Sequence, residues 1–85
     1  MVGMPGDAPE RGRRDRGEEL PSARVEADMR RRVAAGEWEP GEALPSVAEL
    51  ADHYRVSRTA VSRALKAVES DGLVRIVPRW GTFRA

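Results

Sequence analysis

Three stretches of the chain repeat their apolar residues with the period of an α-helix, and a fourth changes to the shorter period of a strand. Val25, Met29 and Val33 recur at every fourth residue. They predict the buried side of a first helix, opening near Pro21-Ser22 with Ser22 as N-cap and stopped by Gly36. Glu37-Trp38-Glu39-Pro40-Gly41 reads as a turn, since Pro-Gly suits the central positions of type II, and Trp38 is the natural residue to cover the first helix. Ser46-Val47-Ala48-Glu49 has capping-box spacing, in which serine and glutamate satisfy each other's orphan amides. Val47, Leu50, Ala51 and Tyr54 follow at i, i+3, i+4 and i+7, a short apolar stripe ending by His53 to Arg55.

The third helix carries the clearest pattern. Ser57 is the expected N-cap, and Val56 is placed to pack on Val61 as a hydrophobic staple. Val61, Ala64, Leu65 and Val68 repeat the helical spacing and predict a core face. At about 100° per residue, Thr59, Ser62, Arg63 and Lys66 fall on the opposite side. Asp71-Gly72 closes this helix. Beyond it, Leu73 to Val77 is apolar and β-branched, Pro78-Arg79-Trp80-Gly81 is turn-like, and Thr82-Phe83-Arg84 can return as a partner strand. Residues 21–85 therefore predict a mainly α domain with a small β-hairpin.

Residues 1–20 stand apart. Four arginines and five acidic side chains sit among glycines and prolines, with almost no large apolar residue. Such a segment cannot bury enough surface to offset its ordering entropy, so a disordered tail is expected. Its Arg11, Arg13, Arg14 and Arg16 are interleaved with acids, which weakens them as phosphate contacts.

The net charge of +1 hides an asymmetry, because residues 55–85 hold seven basic side chains against Glu69 and Asp71. Positive charge concentrated in one segment points to a polyanionic partner; the plainer alternative is a solvated basic face. Other classes are disfavoured. The chain has no cysteine and His53 is its one histidine, so neither a disulfide framework nor a conventional zinc or other metal site is expected. Within 85 residues there is little room for a cofactor or effector pocket of about 300 Å³ or more. No apolar run approaches the roughly 20 residues of a membrane span, and the N-terminus lacks a signal-peptide core, which predicts a cytoplasmic protein. His53 lies near Asp52 and Glu49 but without a nucleophile or cleft, so no enzymatic activity is expected.

Helices two and three are separated only by residues around Tyr54-Arg55-Val56, the spacing of a helix-turn-helix whose second helix enters the major groove. With the hairpin as a wing, the fold expected is a three-helix winged helix-turn-helix. An inserted helix face must not be bulky and apolar, and Thr59, Ser62, Arg63 and Lys66 meet that condition. Arg58, in the first turn, has the reach for guanine O6/N7 or a phosphate. Ser46 and Ser57 sit at helix N-termini, which attract phosphate, although capping is sufficient reason for both. Arg79 beside Gly81 suits minor-groove entry by the turn at about 78–82, with Thr82 adjoining it. Trp80 either stacks on a sugar or buries itself against the hairpin, with packing favoured slightly.

Several of these segments together, in order, resemble the DNA-binding half of the GntR (gluconate-repressor) family. They are Leu44-Pro45-Ser46, Glu49-Leu50-Ala51, Val56-Ser57-Arg58-Thr59-Ala60-Val61, Ala64-Leu65, Gly72-Leu73 and Trp80-Gly81-Thr82-Phe83, with Pro40-Gly41 ahead of them. The likeness runs over about residues 22–84. It implies a bacterial winged-helix repressor, nucleoid-associated, that binds a palindromic double-stranded operator as a homodimer, with the recognition helix at about 57–70. Arg58 matches the family's DNA-contacting arginine and Gly81 its wing-tip glycine. Ala48 and Ser62 stand where the family usually or often has arginine, Arg63 being displaced by one. Family members normally append an effector-binding, dimerising domain that this chain lacks, which leaves a naturally minimal regulator, favoured by the Met1 start, or an isolated domain. A winged-helix protein-interaction module with weak or non-specific DNA binding is the alternative.

Overall fold

In the computed structural model, which describes residues 20–85, the first helix, α1, spans Pro21–Ala34. Its N-cap is Leu20, without a side-chain cap, and proline stands in its first turn. Ser22 is thus inside the helix rather than its cap. Proline's fixed φ and missing N–H suit the first helical position, which moves the start ahead of the serine. The expected tail of residues 1–20 lies, Leu20 apart, outside the described residues. After α1 comes the predicted type II turn. Glu42 N–H donates to the Glu39 carbonyl at 2.9 Å, and Gly41 takes φ +88°, a value that L side chains rarely adopt.

Helix α2 spans Val47–Tyr54 and α3 spans Arg58–Ser70. Both caps form as the sequence predicts. Ser46 Oγ accepts from Glu49 N–H at 3.0 Å while Glu49 Oε1 accepts from Ser46 N–H at 2.8 Å. Ser57 Oγ accepts from Ala60 N–H at 3.1 Å. Between the helices Arg55 adopts φ +58°, and Val56 N–H donates back to the Ala51 carbonyl at 3.0 Å. Glycine is the usual residue for such a left-handed closure; a side chain there costs about 1 kcal/mol or more.

Strands β1 (Val74–Val77) and β2 (Gly81–Arg84) form the hairpin. Val74 pairs with Arg84 and Val77 with Gly81. The sequence pattern did not predict that the segment after the type II turn also pairs with β2. Gly41 N–H donates to the Arg84 carbonyl at 2.7 Å, Arg84 N–H to Glu42 at 2.8 Å and Leu44 N–H to Thr82 at 2.8 Å. This places β2 between two neighbours, and a bare hairpin is only marginally stable in water.

The core forms where all these elements meet. Val25, Met29 and Val33 of α1 and Val61, Leu65 and Val68 of α3 are at most 3% exposed, with Ala64, Leu50, Ala51, Trp38, Leu44 and Val74 completing the cluster. α1 lies chiefly against α3. Each apolar stripe that helical spacing predicts is therefore buried or, at Val47 and Tyr54, packed against the buried cluster. No helix among the described residues is long and apolar enough to cross a membrane.

Because Leu65 is 1% exposed, Leu65→Ala is expected to lower stability by about 3 kcal/mol. Lys66→Ala, on the exposed side of the same turn, should stay within about 0.5 kcal/mol of wild type. Urea denaturation monitored through the tryptophans measures both. Equal effects would show that α3 has no distinct buried face.

Candidate nucleic-acid interface

Burying Val61, Ala64, Leu65 and Val68 turns the other side of α3 outward. Arg58, Thr59, Arg63 and Lys66 are exposed and Ser62 is half-buried, so the stripe predicted from helical spacing is present as one polar and basic surface. Ser57 stands exposed at its head. Ser46 is exposed at the head of α2, where its capping bonds are already made. A capping serine oxygen accepts from the backbone and still has its own O–H free to donate.

The hairpin turn departs from expectation at two positions. Trp80 N–H donates to the Val77 carbonyl at 3.0 Å, which closes a turn through Pro78 and Arg79, with Arg79 at φ +73°. Arg79 and Gly81 are exposed as expected. Trp80 is 79% exposed, so it does not pack against the hairpin; the three-residue turn carries it beyond the last strand pair. Thr82 is 6% exposed. It shares the inner face of the sheet with Ile76, its pairing partner, and its side chain is therefore removed from the candidate interface.

A helix carboxylate sets the hairpin against α3. Glu69 Oε2 accepts from Ile76 N–H at 2.8 Å, satisfying a backbone group of strand β1. Glu69 was read from sequence only as negative charge in a basic segment. Nothing in its spacing marks it, because its partner is a main-chain amide that comes near only in the folded chain.

Charge pairing separates the two sides of the molecule. Among the described residues, the ion pairs are Glu26–Arg30, Arg30–Asp71, Asp28–Arg31 and Arg32–Glu37, each with an arginine of α1. None involves Arg55, Arg58, Arg63, Lys66, Arg75 or Arg79. Arg58 also opens α3 with no acidic residue in the first turn, opposite to what the helix dipole favours. An unpaired cation at a helix N-terminus becomes favourable once an anion joins it.

A buried-side polar network holds α2 on α1. Arg32 Nη1 donates to Tyr54 Oη at 2.8 Å, and Tyr54 Oη donates to Asp28 Oδ2 at 2.5 Å. Arg32 also donates to both carboxylate oxygens of Glu37, at 2.8 and 2.5 Å, and stacks over Trp38 with 4.8 Å from guanidinium carbon to ring centre. Partial burial, followed by the hydrogen bond to Asp28, pushes the Tyr54 phenol above its ordinary 10.0, with Arg32 opposing.

The family model for bacterial regulatory proteins of the gntR family matches residues 13–83. The chain is 44% identical over 54 residues to YieP, an HTH-type transcriptional regulator of Escherichia coli (strain K12), covering 64% of this chain and 24% of that protein. It is 36% identical over 63 residues to the histidine utilization repressor of Pseudomonas aeruginosa, covering 74% of this chain and 25% of the repressor. The chain thus spans about a quarter of the length of these relatives. The structure also superposes on the AraR DNA-binding domain crystallised with operator ORX1. The TM-score is 0.74 at 29% identity, over 76% of this chain and 78% of that one.

Tyr54 is the one tyrosine of the chain, so its ionisation is directly visible. A titration of phenolate absorbance near 295 nm should give a midpoint above 10.0. Since the folded-state value is raised, this group's contribution to stability is full below pH 10 and is lost as pH rises through the folded midpoint. Arg32→Ala should move the midpoint higher still, because a group favouring the phenolate is removed. A midpoint at or below the ordinary value would contradict the network.

Proposed function

This chain belongs to the gntR family of bacterial regulatory proteins, and on that premise we propose that it binds a double-stranded operator sequence-specifically and represses transcription. The observation that carries this reading is the row of exposed, unpaired side chains on α3, backed by a fully buried core face. Helix α3 enters the major groove, where Thr59, Ser62 and Arg63 meet base edges. Arg58 takes guanine or a phosphate from the helix N-terminus. Lys66, further along the stripe, contacts the backbone. Ser46 and Ser57 donate their spare O–H to phosphates while their oxygens keep the caps.

The hairpin turn enters the neighbouring minor groove. Arg79 leads, Gly81 lets the backbone come close, and exposed Trp80 lies against the sugar wall. Thr82 takes part only by holding the strand. The operator complex of the AraR domain supports this arrangement, since that domain matches over three quarters of this chain. Two copies on a palindromic site, each reading a half-site, extend the reading. A duplex ligand would place the protein at the bacterial nucleoid.

A binding selection from a randomised duplex library at fixed salt, with wild type and Arg58→Ala in parallel, tests the proposal. Wild type is expected to enrich one defined half-site, and its repeat spacing reads out dimerisation. Arg58→Ala should lose about 10- to 100-fold in affinity for that site. No enrichment by wild type, together with indifference to the mutation, would sink the DNA-reading proposal in favour of a protein-interaction module.

A further inference from the structure

The turn between α2 and α3 carries a cation that the expected site omits. Among the described residues, the non-glycine positions with positive φ are Arg55 at +58° and Arg79 at +73°. Both are exposed arginines. Arginine has no conformational advantage in the left-handed region, where glycine and asparagine are at ease. Its repeated presence there points to the guanidinium rather than to the turn. Arg79 belongs to the hairpin tip already described. Arg55 has no assigned role.

The surroundings of Arg55 indicate one. It lines an open cleft of about 720 Å³ between α2 and α3, together with Ala48, Asp52, Ser57 and Arg58. Arg55 and Arg58 flank the Ser57 cap in sequence, so two cations and the free amides of a helix start border the same space. Asp52 is a wall of that cleft, yet no ion pair joins it to Arg55. Ala48 adds no charge from α2. The cleft is too open and polar for a small apolar ligand, and its cations suit an anion approaching from solvent.

Resting on the proposed DNA reading, we infer that Arg55 is a backbone anchor, gripping with Arg58 the phosphates that border the groove entered by α3. Arg55 precedes the helix and does not share the Thr59–Ser62–Arg63–Lys66 stripe. Its contact is therefore with the phosphate chain and indifferent to sequence. The strained turn sets the angle at which that contact is made.

The test compares wild type, Arg55→Gly, Arg55→Lys and Arg58→Ala on the selected duplex and on a random duplex across a salt series. Neutralising one phosphate contact should make the slope of log K against log salt shallower by about 0.9 and cost about eightfold at 0.1 M salt. Arg55→Gly is expected to show both changes on both duplexes. Its melting temperature should hold or rise by a few degrees, since the left-handed residue becomes glycine. Arg55→Lys should keep the wild-type salt slope. A wild-type slope and affinity in Arg55→Gly, while Arg58→Ala binds poorly, would overturn the anchor and leave the DNA reading standing. Absence of salt-dependent duplex binding by wild type would overturn both.

Discussion

The contact of α1 with the apolar side of α3 is the constraint from which the rest follows. Val25, Met29 and Val33 meet Val61, Leu65 and Val68 in a cluster that excludes water almost completely. A helix of that length has only two sides to assign. Once one is committed to the core, Thr59, Arg63 and Lys66 have solvent or a ligand as their surroundings. The same contact forms the centre of the core of a small domain, and domains of this size have little stability to spare. On the proposed reading, recognition and stability use opposite faces of one element, so polar residues on the outer face can vary without loosening the core.

The remaining elements are placed relative to that pair by polar contacts of defined geometry. The Arg32–Tyr54–Asp28 chain holds α2, Arg30 ties α1 to Asp71 after α3, and Glu69 fastens β1. Pairing of Gly41 and Leu44 with β2 closes the other edge of the hairpin. These bonds matter less as sums of energy than as fixings of angle. Base reading needs a helix and a wing held at a set spacing, because DNA presents its grooves at a set spacing. Three arginines of α1 are used up in ion pairs, whereas the cations of α3 and the two turns are left unpaired.

Local rules are broken mainly at those unpaired cations. Arg58 sits at the end of a helix where an acid would be favoured, and Arg55 and Arg79 occupy backbone conformations that suit glycine. Elsewhere caps, stripes and turns agree with the fold. Conflicts of this kind concentrate at functional sites, where the missing partner supplies what the isolated chain lacks.

Sequence alone determined the three helices, the caps of α2 and α3, the type II turn at Pro40-Gly41 and the identity of the buried face of α3. These depend on neighbours within about four residues, and the pattern of apolar positions records them directly. The outward set Arg58, Thr59, Ser62, Arg63 and Lys66 was legible for the same reason. Tertiary structure decided the rest. The first helix starts at Pro21 rather than after a Ser22 cap. Thr82 faces inward because the pairing of β1 with β2 sets which residues of the strand go in, and Trp80 stands outward because the three-residue turn carries it beyond the last strand pair. The third segment on the sheet, the grip of Glu69 on Ile76 and the cleft beside Arg55 each join groups distant in sequence or shaped by a turn. No periodicity carries such contacts, since they exist only when the chain has closed on itself.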